Sequence, residues 1–189
     1  MAPGHPSSGK TSLIRQIQFE GSENLLEPDA IARRISPDRP QLAGVSAGRE
    51  VLRRSAGYLR RGNSFAIETT LAGNWTNHAI RQALTMSFYT RLFYICVDSP
   101  ERSIQRVRER VAQGGHHVPD ADVRRRYTRS LTNARQILPI VHQAVVIDNS
   151  GATSSSVFEI RDGQLLTKAD SIPVWATALL DGTVLLRNS

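Results

Sequence analysis

The sequence predicts an α/β fold with a mainly parallel sheet flanked by helices, and three observations predict it. Short apolar runs, "SFAIETT", "RLFYICVD" and "AVVID", alternate with longer segments whose apolar residues recur at helical spacing. A glycine-bearing loop stands directly before the first of those periodic segments. The first of these runs ends in polar residues, on the side where open parallel sheets gather ligands.

Length and composition set the frame. A chain of 189 residues, 40% hydrophobic, with mean hydropathy −0.30, is expected to be one soluble domain with a real core. Its N-terminus lacks a basic region followed by an apolar stretch, and no run reaches membrane-spanning length. The single cysteine, Cys96, excludes an internal disulfide and reads as a buried, inert thiol. A cytoplasmic location is the expectation, with no membrane partner. The net charge of +7 raises nucleic acid as a partner, but the arginines are scattered and aromatics make up only 6%. A polynucleotide kinase or RNA binder therefore stands only as an alternative. Of 24 basic residues only Lys10 and Lys168 are lysines, so a lysine at position 10 is informative.

The elements follow in order. Residues 11–17 read as the helix after the glycine loop, and "EPDAIARRIS" as a short helix ending before Pro37. Residues 45–61 form a longer helix, with Gly62 as its stop. "SFAIETT" is a strand, 73–86 a helix and "TRLFYICVD" the clearest strand of all. Ser99 caps the next helix, with Pro100 at its first position and Glu101 in its first turn. "GGHHVPDAD" interrupts it, and 121–137 resumes with Val123, Tyr127, Leu131 and Ala134 as its stripe. "AVVID" is a further strand, and "VFEIRDGQLLT" a hairpin turning at Asp162-Gly163.

Four pieces carry chemistry. Gly4 to Thr11 read "GHPSSGKT", the spacing of a phosphate loop, G-x-x-x-x-G-K-[ST]. Gly4, Ser7, Ser8, Gly9 and Ser12 belong to a cradle of backbone N–H groups; Lys10 would pair with the phosphates and Thr11 offer its hydroxyl to Mg²⁺. Such a loop makes the sheet P-loop NTPase-type and indicates nucleotide binding with Mg²⁺, leaving the acceptor open. Asp29 is either a base within reach of an acceptor hydroxyl or a first-turn acid complementing the helix dipole. Glu68, Thr69 and Thr70 leave a strand end, where they hold a ligand or make a turn and a cap. In "RVRERVAQGGHHVPDADVRRRYTRSLTN", Ile104, Val107 and Val111 share one helical face and Arg106 and Arg110 the opposite one. Those arginines, with Arg126 on the next helix, are either a phosphate lid hinged at glycine or a solvated face. His116 and His117 have no neighbours at metal spacing.

These pieces, in this order and closing on "VIDNSG", resemble the zeta toxin family of P-loop small-molecule kinases across residues 4–151. The resemblance implies γ-phosphate transfer from ATP to a hydroxyl of a small acceptor, in toxin members a UDP-N-acetylated amino sugar. By motif it implies Lys10 and Thr11 on ATP and Mg²⁺, and Asp29 as the base. It implies Glu68 and Thr70 on the acceptor, with Arg110 and Arg126, backed by Arg106, on the transferring phosphoryl group. It also implies a small helical antitoxin as partner. Residues 1–151 are expected to form the kinase core with a lid at about 100–136, and 152–189 a hairpin and helix extending the same domain.

The sequence departs from the family at Glu27, where an asparagine is usual, and at Ser7, where a glycine is usual. Met1 to Pro3 is also too short for the strand that such a loop follows. The preferred expectation is an apolar strand encoded upstream of Met1. The alternatives are a truncated, catalytically idle nucleotide-binding module, or "VWATALLDGTVLL" standing in for the strand.

Overall fold

The computed structural model describes residues 21–115 and 117–185. The expected phosphate loop, including Lys10 and Thr11, the helix expected over 11–17, and His116 lie outside the described residues. The described chain divides into two units, residues 21–90 and the residues from Arg91 onward.

In the first unit, β1 (Leu25–Leu26) is followed by α1 (Pro28–Ile35) and α2 (Gly44–Arg60). Then come β2 (Ala66–Ile67) and α3 (Asn74–Thr85). Pro28 opens α1, where a missing N–H costs nothing, and the chain leaves helical conformation at Ser36, just before Pro37. The small and apolar residues Ala47, Val51, Ser55 and Leu59 turn one face of α2 inward, and Gly62 closes it by donating to the Leu59 carbonyl. β1 and β2 pair in parallel, Leu25 opposite Ala66 and Leu26 opposite Ile67. The core comprises Leu26, Ile31, Ala32, Ala43, Ala47 and Val51, with Tyr58, Phe65, Ile67 and Trp75 packed against it. The seven-residue run read as a strand contributes only two ladder residues.

The second unit holds a four-stranded sheet in the order β3 (Arg91–Cys96), β4 (Gln143–Asp148), β5 (Ser155–Arg161), β6 (Gln164–Lys168). β3 and β4 run parallel, linked through α4 (Pro100–Ala112) and α5 (Asp120–Ile137). The β5–β6 hairpin adds antiparallel strands. It turns at Asp162 (φ +48°) and Gly163 (φ +72°), both left-handed as a two-residue turn requires. Ala144, Val146 and Phe158 have no exposed surface, which puts the core on β4 and β5. Full burial of each larger side chain contributes roughly 1.5–3 kcal/mol. Val174–Leu185 of the segment "VWATALLDGTVLL" form helix α6, so these residues do not stand in for a strand. Its Trp175, Ala176, Leu179 and Leu180 are buried, and the Trp175 ring lies 6.2 Å from that of Tyr94. Among the described residues no helix is long and apolar enough to cross a membrane.

Candidate functional site

The carboxyl edge of β1 and β2 brings Glu27 and Asp29 beside Glu68. Parallel register brings the two strand ends level, and the Glu68 N–H donates to the Leu26 carbonyl at 3.0 Å. Glu27, Pro28 and Asp29 therefore leave the sheet beside Glu68, Thr69 and Thr70. Asp29 is exposed in the first turn of α1, where the helix dipole favours its charge, and Glu68 is half-buried. The turn beyond β2 is strained: Leu71 is 3% exposed yet adopts φ +58°, costing about 1–2 kcal/mol for a residue with a branched side chain. Its N–H donates to Thr69 Oγ1 at 3.1 Å, so that hydroxyl is engaged in the turn while Thr70 stays exposed.

In the second unit the arginines sort by what they touch. Arg102 forms a two-pronged pair with Asp98, at 2.7 and 2.8 Å, which holds the Asp98 carboxyl below its usual range. Arg124 pairs with Glu101, lowering that carboxyl too, and Arg108 pairs with Asp120 at 2.6 Å. Both pairs tie α4 to α5. Arg125 pairs with Asp122 within α5. Arg126 and Arg129 are exposed and make no hydrogen bond or ion pair among the described residues. Arg106 and Arg110 are half-buried and lie one turn apart on α4. Arg106 Nη2 donates to the Asn149 carbonyl, so its charge meets a neutral acceptor.

The paired glycines after α4 cap the helix. Gly114 is left-handed (φ +84°) and donates to the Val111 carbonyl, and Gly115 donates to the Arg110 carbonyl at 2.8 Å. A Cβ on Gly115 would stand 2.6 Å from both Arg110 Cγ and Arg110 O, so glycine there leaves room for the Arg110 side chain.

A cleft of 360 Å³ opens at the carboxyl ends of β3 and β4, between Arg102 and Arg106 on α4 and the loop Ser150 to Ala152. Its wall is fixed by local bonds: the Asp98 N–H donates to Ser150 Oγ at 2.8 Å, and Ser150 Oγ donates to Asp148 at 2.5 Å. The Asn149 N–H donates to the Cys96 carbonyl at 2.8 Å. Sequence reading assigned no role to Asn149 and Ser150. The available signal was polar residues directly after an apolar strand, the same signal that marked Glu68. Around this wall, burial pushes up the Cys96 thiol and the Tyr94 and Tyr127 phenols. Tyr127 donates to the Val97 carbonyl at 3.0 Å. No group of three or more His, Cys, Asp or Glu side chains among the described residues is arranged to hold a metal.

Comparison with known proteins places this geometry. The family described as AAA domain matches residues 1–132, more than half of the chain. The chain belongs to that family. An uncharacterised protein of Haemophilus influenzae is 32% identical over 124 residues, covering 66% of this chain and 88% of that protein. A chain from the characterised PezAT chromosomal toxin–antitoxin system of Streptococcus pneumoniae superposes with a TM-score of 0.58 at 16% identity. That match covers 98% of this chain and 84% of the other, and it speaks for the fold. This AAA-domain protein thus has an α/β fold of the P-loop type, shared with a chain of that toxin–antitoxin system.

Within this AAA-domain protein, Asp29, Glu68 and Thr70 share one strand edge of the first unit. Arg106 and Arg110 share α4 of the second, and Arg126 stands exposed on α5.

Proposed function

We propose that this chain is an ATP-dependent kinase of a small hydroxyl-bearing acceptor, of the UDP-N-acetylated amino sugar class. The observation that supports this reading best is the β1–β2 edge, where an exposed carboxylate and a half-buried one leave adjacent strand ends beside a strained turn. In the reaction the acceptor oxygen bonds to the γ-phosphorus, the bond from that phosphorus to the β–γ bridging oxygen breaks, and ADP leaves. Asp29 takes the acceptor's proton, while Glu68 and Thr70 orient its hydroxyls. Lys10 and the phosphate loop would hold the nucleotide, and Thr11 would hold Mg²⁺, which neutralises developing phosphate charge when bound. Arg110, with Arg106 and Arg126, would offset the charge on the transferring group. The cleft at Arg106 and Ser150 suits the remainder of the nucleotide, since it lies at strand carboxyl ends. The likeness to a toxin–antitoxin protein supports a small antitoxin as partner, and the cytoplasm is part of the same proposal.

The test is mass spectrometry of the full chain with Mg-ATP and a panel of UDP-sugars, run beside Asp29→Ala. A phosphorylated UDP-sugar that disappears in the variant is the expected result. ATP binding with no phosphorylated product across the panel would reject this acceptor class and favour an idle nucleotide-binding module. Product that persists in the variant would reject Asp29 as the base.

A further inference from the structure

We infer that the outer faces of α1 and α2 form a docking groove for an acidic amphipathic helix of a partner protein. The groove encloses 490 Å³ over a floor of Ile31 and Ile35, with Arg34, Arg49, Arg53 and Arg54 around it. It lies away from the candidate base. At about 100° per residue, Asp29 stands about 160° round α1 from Ile31. On α2 the core residues Ala47, Val51, Ser55 and Leu59 occupy the other side of the helix. The inference is therefore independent of the transfer chemistry.

Charge identifies the partner's sign. Glu50 is the one carboxylate lining the groove, and it is shared: Arg53 binds both of its oxygens at 2.8 Å, and Arg54 binds Oε1 at 2.7 Å. Those two guanidiniums hold the Glu50 carboxyl down at about 2, so it stays ionised and already spent. Arg34 and Arg49 make no hydrogen bond or ion pair among the described residues. Four guanidiniums against one carboxylate leave an excess of three positive charges along a single groove.

Apolar surface identifies the partner's form. Ile35, the last residue of α1, is 48% exposed, and Val45, at the start of α2, is 71% exposed. Leu42, also 71% exposed, lies in the Pro40–Ala43 turn that joins these helices and packs on both. An inorganic phosphate or a nucleic-acid backbone satisfies the arginines and leaves these aliphatic side chains in water. A helix with an apolar ridge flanked by Glu and Asp covers both, with the ridge against Ile35, Leu42 and Val45 and the carboxylates against Arg34, Arg49 and Arg53.

The experiment is fluorescence anisotropy of the full chain with a fluorescein-labelled helical peptide of about 15 residues. The peptide carries leucine at helical spacing flanked by glutamate. The controls are a phase-scrambled peptide of the same composition, a lysine-for-glutamate version and oligouridylate RNA. The in-phase acidic peptide should bind and the three controls should not. The double variant Arg34→Glu with Arg49→Glu should weaken that peptide about tenfold or more, and Ile35→Ser about threefold. Arg81→Glu, on α3, and Asp29→Ala should leave it unchanged. Circular dichroism checks each variant's fold, and Arg34→Gln with Arg49→Gln, expected to give a smaller loss, serves if the reversal unfolds the chain. No binding by the in-phase peptide, equal binding by the scrambled one, displacement by RNA, or indifference to the arginine changes overturns the proposal.

Discussion

Between residues 21 and 90, Asp29 and Glu68 are placed by four ladder residues and one strained turn, all of them backbone features. From Arg91 onward, the guanidiniums are placed by carboxylates, a helix cap and a carbonyl. The contrast separates two ways of presenting a charged group. Backbone placement fixes where a side chain emerges and depends on the core beneath it. Placement by partners costs the side chain some of its charge, so only those that avoid carboxylates keep it for a ligand. Arg106, bonded to a carbonyl, and Arg126, without a partner among the described residues, are such cases.

The sharpest way to test that contrast is to remove one group from each unit. Asp29→Ala should lower phosphoryl transfer by about 10²–10⁴-fold with ATP binding unchanged, the range for losing a general base. In the second unit, Arg106→Ala should lower kcat by about 10²-fold, whereas Arg108→Ala, whose charge is held by Asp120, should change it less than about threefold. Equal losses from the two arginines would break the sorting by partner.

Core truncation comes next in size. Leu26→Ala in β1 removes a side chain only 3% exposed and should cost about 2–5 kcal/mol in urea unfolding, disturbing the strand that leads into the helix bearing Asp29. Activity per folded molecule should fall with it.

The smallest effect is acid sensitivity. Asp98 and Glu101 are held below their usual values by Arg102 and Arg124, so their pairing stabilises the fold above the ordinary carboxylate range. That contribution is lost as pH falls through the lowered folded values. The urea midpoint of the second unit, followed between about pH 6 and pH 3, should therefore drop further in the wild type than in Glu101→Gln. Identical drops would mean that the exposed α4–α5 pair contributes nothing measurable.

Much of this was legible in the residues. Apolar periodicity located α1 to α5, Ser99 and Pro100 marked the start of α4, and Asp162-Gly163 marked the hairpin. Three features were not legible, each for a physical reason. β1 has only two residues, too few for an alternating pattern, and its existence depends on pairing with a strand forty residues away. The helix expected within 152–189 is apolar around most of its circumference, so its period did not mark its bounds. Gly114 and Gly115 read as a break in the helix, but a sequence does not reveal that their N–H groups meet the Val111 and Arg110 carbonyls. The acidic edge at Asp29 and Glu68 was visible because both follow apolar runs, whereas the half-burial of Arg106 and Arg110 depends on tertiary packing.

The two tryptophans of the chain fall one to each unit, Trp75 on α3 and Trp175 on α6, and the single thiol, Cys96, is buried at the end of β3. The protein thus carries built-in optical and chemical reporters. With Trp175→Phe the remaining indole emission follows residues 21–90 alone, and with Trp75→Phe it follows the rest. The rate at which a thiol reagent reaches Cys96 clocks the opening of the β3–β4 sheet. Melting of one half can therefore be separated from melting of the other without attaching any label.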